Sequence, residues 1–120
     1  MMVTSKREFP YTAQLQHITP QELIAAVERI WSPEPDMNFN YLQQWLQKGC
    51  QITRVSLWSH FGPAGGGPAI FFFLRHPSGD EFYIPVAPGK SVIEFISQNA
   101  EEWQRGGVIF ERVQWSVKQK

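Results

Sequence analysis

AIFFFLRHPSGDEFYIPV, residues 69–86, decides how this chain folds. Ala69 to Leu74 are apolar without interruption, so a strand built from them is buried on both faces and belongs in the middle of a sheet. PSGD at 77–80 supplies the residues that set turn dihedrals, and EFYIPV returns as the second arm of a hairpin. The register stays open, because a slip of one residue still leaves aromatic rings on each side.

Upstream, QITRVSLWSHF at 51–61 is rich in β-formers and partly alternating. Thr53, Val55 and Leu57 are expected on one face, with Arg54, Ser56 and Trp58 on the other. Between these two strands lies GPAGGGP, 62–68, too long for a tight hairpin loop and expected to be a flexible connection beside the sheet.

The flanks read as helices. Thr19-Pro20-Gln21-Glu22 is a capping box with proline in the first turn, and Leu23, Val27, Ile30 and Trp31 follow as a buried stripe. SPEPD at 32–36 stops that helix. A second helix spans roughly 38–48, with Phe39, Leu42, Trp45 and Leu46 inward and Gly49 as its terminator. Ser91-Val92-Ile93-Glu94 predicts another capped helix through Trp103, ended by Gly106-Gly107. The last strand is VIFERVQWSV, 108–117, with Ile109, Val113, Trp115 and Val117 on one side. TAQLQHI near the N-terminus is a candidate edge strand, and residues 1–11 are expected to form a flexible arm. The expectation is one α+β domain over 1–120, with about four mostly antiparallel strands packed with two to three helices.

Composition excludes several functions. Eleven basic residues balance eleven acidic ones and form no run, so no field recruits nucleic acid or acidic lipid. The longest apolar run is too short to cross a bilayer as a helix, and MMVTSKREFPY has no apolar stretch of a secretory signal behind it. Cys50 is the single cysteine, so no internal disulfide forms, and a cytoplasmic protein is expected.

No chemistry can be assembled from the polar residues either. The glycine loop leads into a strand, not a helix, and two prolines deplete its donors, so it is no phosphate cradle. IPVAPGKS at 84–91 ends like a nucleotide-binding loop but has Ile84 where glycine is required. His60 and His76 fall at opposite ends of paired strands, about 20 Å apart, too far to share a metal. Cys50 follows a helix C-terminus, where the dipole disfavours a thiolate. No cofactor, metal or catalytic residue is expected.

What remains is an aromatic excess: five Trp, nine Phe and three Tyr. Trp, Tyr and Arg dominate binding hot spots, because large burial combines with a polar handle. The candidate partner-binding residues are Arg54, Trp58, Phe71, Phe73, Arg75, Tyr83, Phe110 and Arg112. Against this stands the plainer reading that helices cover both sheet faces and the arginines reach out from the edges.

RIWSPEPDMNFNYLQQWL followed by SLWSHFGPAGGGPAIFFFLRHPSGDEFYIPV resembles small cyanobacterial accessory proteins, nearest to a carboxysome assembly chaperone. The resemblance covers size, element order and composition over most of the chain. It implies a sheet-lined pocket, a protein tail as ligand, and neither cofactor nor catalysis. Residue chemistry alone leads the same way, to an adaptor or assembly chaperone that captures an extended peptide or C-terminal tail on an aromatic sheet face. The alternatives are an accessory subunit docked on a larger complex, and a small-molecule-binding protein with a pocket under the 62–68 loop.

Overall fold

The computed structural model describes residues 11–30, 37–60 and 67–117. Residues 1–10 of the arm expected over 1–11, the SPEPD stop with Trp31, and Gly62 to Gly66 of the loop lie outside the described residues, while Tyr11, expected in that arm, opens the first strand instead. The elements run β1 (Tyr11–His17), α1 (Pro20–Ile30), α2 (Met37–Gln47), β2 (Gln51–Trp58), β3 (Ala69–Arg75), β4 (Glu81–Val86), α3 (Lys90–Arg105) and β5 (Ile109–Val117). They form an α+β fold around one five-stranded sheet, ordered β1-β5-β2-β3-β4. Every pairing is antiparallel except β2 with β5. The edge strand predicted from TAQLQHI is present as β1 and raises the strand count from four to five. No helix of the described residues is long and apolar enough to cross a membrane.

The three consecutive phenylalanines acquire a register. Phe71 stands opposite Pro85, Phe72 opposite Ile84 and Phe73 opposite Tyr83. Phe72 and Ile84 are buried under the helices, which turns Phe71, Phe73 and Tyr83 to the other side. In β2 the alternation shifts at a bulge between Ile52 and Arg54. Thr53 is the extra residue and its Oγ1 donates to the Phe73 carbonyl at 3.3 Å, so Ile52 joins Val55 and Leu57 in the core. Thr53 therefore does not share the core face with Val55 and Leu57 as expected.

All three helices lie on one face of the sheet. Leu23 and Val27 of α1, Leu42 of α2, and Val92, Ile96 and Ala100 of α3 join the buried residues of β2, β3, β4 and β5 in one core. Around it Phe95 meets Phe39 at 5.2 Å and Trp103 at 5.2 Å, and Trp45 meets Phe82 at 5.1 Å. Edge-to-face rings at these separations add to what their burial contributes. Ile30, expected in the buried stripe, is the last residue of α1 and stands 39% exposed.

The helix ends follow local chemistry with one departure. At α1 the Glu22 amide donates to Thr19 Oγ1 (3.0 Å) and the Thr19 amide to Glu22 Oε1 (2.8 Å), the reciprocal pair a capping box predicts. At α3 the predicted cap fails. Gly89 accepts the first helical bond from the Ile93 amide at 3.1 Å, so the helix begins before Ser91, which is left exposed in its first turn.

Gly49 closes α2 at φ +96°, a left-handed conformation, and a Cβ there would meet Pro77 Cγ at 3.3 Å. Gly49→Ala is expected to cost about 1–2 kcal/mol for the left-handed backbone. A urea midpoint unchanged from the parent would show that the turn relaxes instead.

The candidate binding face of the sheet

The face opposite the helices carries no described helix or strand. Its side chains come from alternate strand positions, and the registers arrange them in rows. One row runs His17, Glu111, Ser56, Phe71, Pro85 across all five strands. On one side of it lies the row Leu15, Val113, Trp58, Ala69. On the other lie Ile109, Arg54, Phe73 and Tyr83, with Arg75 and Glu81 beyond them.

Aromatic rings dominate the centre. The Trp58 indole stacks on Phe71 with centroids 4.3 Å apart and planes 22° from parallel, and Trp115 lies 5.8 Å from Trp58 on the side away from the hairpin. Tyr83 lies 5.3 Å from Phe71 and 5.8 Å from Phe73. The Trp58 Nε1–H donates to Ser56 Oγ at 2.9 Å, which folds the indole back over the strand that carries it. Phe71 and Val113 are shut from water on a face that no described helix covers, whereas Tyr83 is 53% and Leu15 54% exposed. The middle of the face is a pre-packed aromatic floor, and its margins are open.

Charges on this face come in opposite pairs. Arg54 Nη1 reaches Glu111 Oε2 at 3.4 Å, and its guanidinium stands 5.8 Å from the Phe73 ring. Arg75 donates from Nε and Nη2 to Glu81 Oε2 at 3.3 and 3.2 Å, in water at the sheet's end. The Glu111 carboxylate is buried, and among the described residues neither its Oε1 nor the buried Trp115 Nε1 has a hydrogen-bond partner. Arg54, Phe73, Arg75, Tyr83 and Ile109 also line a groove of about 710 Å³ that turns over the sheet end toward Gly106, Gly107 and Val108.

Six of the eight predicted residues therefore share one surface: Arg54, Trp58, Phe71, Phe73, Arg75 and Tyr83. Phe110 and Arg112 do not. Even positions of β5 face the helices, since Phe110 pairs with the core residue Val55. Phe110 is buried with its ring 6.4 Å from Trp103, and Arg112 donates to Gln16 Oε1 at 3.0 Å beside α1. Glu111, Trp115 and Ser56 also belong to this face, although none of them is among the eight residues expected there. Ile109, Glu111, Val113 and Trp115 alternate along β5, and that alternation was the available signal.

Nothing else collects chemistry. Among the described residues no three His, Cys, Asp or Glu side chains converge as metal ligands would. His76 packs on Trp45 at 6.1 Å and bonds Ser78 within its own turn, and the Cys50 thiol is buried in the core. Lys90 and Ser91, the end of the nucleotide-loop near-miss, are exposed in the first turn of α3. The chain matches no protein-family model, no curated protein and no solved structure.

Proposed function

We propose that this protein is a non-enzymatic adaptor or assembly chaperone of the cytoplasm, and that it captures an extended peptide or protein tail on the sheet face that no described helix covers. The observation that carries this reading is the convergence of Trp58, Phe71, Phe73 and Tyr83 with Arg54 and Arg75 on a surface that no described helix covers. Rigid, pre-stacked rings offer apolar area without the entropy cost of ordering flexible side chains on binding. A central aromatic cluster with a charged margin is also the usual anatomy of a binding hot spot. A protein tail as ligand is what the resemblance to a carboxysome assembly chaperone implies as well.

Charge favours a peptide over a nucleic acid. A stacking platform for single strands needs uncompensated cations along the backbone track, whereas Arg54 and Arg75 each have a carboxylate beside them. The test is selection of displayed random peptides on the immobilised protein, followed by backbone and indole amide NMR with a selected peptide. Shifts confined to the rows of Trp58, Phe73 and Tyr83 are expected. Failure to enrich any peptide, or shifts on the helical face, would overturn the reading.

A further inference from the structure

We propose that β1 is a self-association edge, through which two copies of this chain pair antiparallel about a two-fold axis and join their five-stranded sheets.

The argument starts from backbone hydrogen bonds. The Ile18 amide donates to the Phe110 carbonyl at 3.1 Å. In an antiparallel ladder the N–H and C=O of one residue point the same way, and successive residues alternate. Thr12, Gln14 and Gln16 therefore face β5, while Ala13, Leu15 and His17 turn their N–H and C=O groups outward. Across β5 the phase agrees, since Val113 directs its carbonyl to the Ser59 amide at 3.0 Å on the β2 side.

Nothing among the described residues covers that edge: every residue from 12 to 17 is exposed, and Leu15 is 54% exposed. Stable monomers guard such edges with proline, charge, a bulge or a short strand. β1 has none of these, for YTAQLQH is seven residues long and lacks proline, lysine, arginine and any carboxylate. The opposite edge is guarded. Pro85 removes a donor from β4, and Asn38 Nδ2 of α2 occupies the Pro85 carbonyl at 2.6 Å.

A second copy is the occupant because the strand is complementary to itself. One antiparallel register pairs all seven residues, and in it Gln14 meets its own copy, Ala13 meets Leu15, and Thr12 meets Gln16. The outward-facing backbones then meet each other, small opposes large, polar opposes polar, and no like charges are opposed. Leu15 lies on the face that carries Trp58, so the apolar surface runs on unbroken into the second copy. A strand pair buries less than a standard interface, so the dimer is expected to be weak and concentration-dependent.

The test is sedimentation equilibrium of the full chain from about 1 μM to about 1 mM. The mass is expected to rise from 13.9 kDa toward twice that value. Ala13→Pro deletes one outward donor and none of the β1–β5 ladder, so it should hold the mass at the monomer value with the melting temperature kept. Gln14→Cys should oxidise to a disulfide-linked dimer, whereas Leu15→Cys should not, its own copy lying beyond the Cα separation a disulfide spans. Monomer mass at every concentration overturns the proposal, as does undiminished association of a folded Ala13→Pro variant. If Ala13→Pro does not fold, the cysteine pair decides, and cross-linking at Leu15 in place of Gln14 overturns the register and the proposal with it.

Discussion

Phe72→Ala is expected to lower the unfolding free energy by about 3–5 kcal/mol, the largest loss of any single ring truncation in the hairpin. Phe72 has no exposed surface and sits where the helices meet the sheet, its ring 6.1 Å from Phe95 and 6.4 Å from Trp103. Truncation removes the transfer free energy of the ring and leaves a hole between α3 and the sheet that rigid neighbours fill poorly. Phe73→Ala, one residue on, removes a half-buried ring from the opposite face and should cost about 1 kcal/mol. Urea midpoints of the two variants, measured with the same slope, check the order. Equal losses would mean that the face carrying Phe73 is as tightly packed as the core, and the argument for an open binding surface would fall with it.

That pair of neighbours also marks how far the sequence could be read. The hairpin was legible because proline, glycine and aspartate fix a turn locally, and the His76 amide does close it on the Asp80 carbonyl at 2.8 Å. Which phenylalanine faces inward was not legible. All three satisfy the same local preference, and the choice is made by helices far along the chain that need one ring beneath them. The parallel pairing of β2 with β5 was hidden for the same reason, since nothing in either strand records which other strand will lie beside it.

The bareness of one face was legible least of all. Counting three amphipathic helices does not say where they go. The two described helical crossovers, β1 to β2 through α1 and α2 and β4 to β5 through α3, cross the same side of the sheet, and no described layer covers the other. Arg54, Trp58, Phe71, Phe73, Arg75 and Tyr83 fell together because alternation groups positions within each strand, but only the helices decided that this group would face away from the core. Phe110 and Arg112 fell away because the core takes their face of β5, and the opposite face, with Ile109, Val113 and Trp115, joins the site instead. Glu111 shows the limit from the other side. A glutamate in an apolar strand reads as an exposed residue, yet the arginine that reaches it comes from β2, fifty-seven positions earlier in the chain.

Trp58→Ala should separate binding from folding on the bare face. Loss of a central tryptophan from an interface costs about 2–4 kcal/mol of binding, roughly thirty- to a thousand-fold in affinity. Trp58 is half-buried and stacked on Phe71, so its removal should cost stability too, about 1–2 kcal/mol and less than Phe72→Ala. Trp58→Phe sharpens the test. It keeps a ring over Phe71 but deletes the Nε1–H bond to the buried Ser56 hydroxyl, so it separates the loss of that bond from the loss of the aromatic surface. Affinity for a selected peptide and urea midpoint are measured on the same samples. Weakened binding of the alanine variant with a midpoint close to the parent supports a face whose rings are exposed for a partner. A collapsed midpoint with unchanged affinity per folded molecule would make Trp58 part of the packing that shields Phe71 and Ser56. The contact surface would then shift to the open margin, where Tyr83 and Arg75 border the groove at the sheet's end.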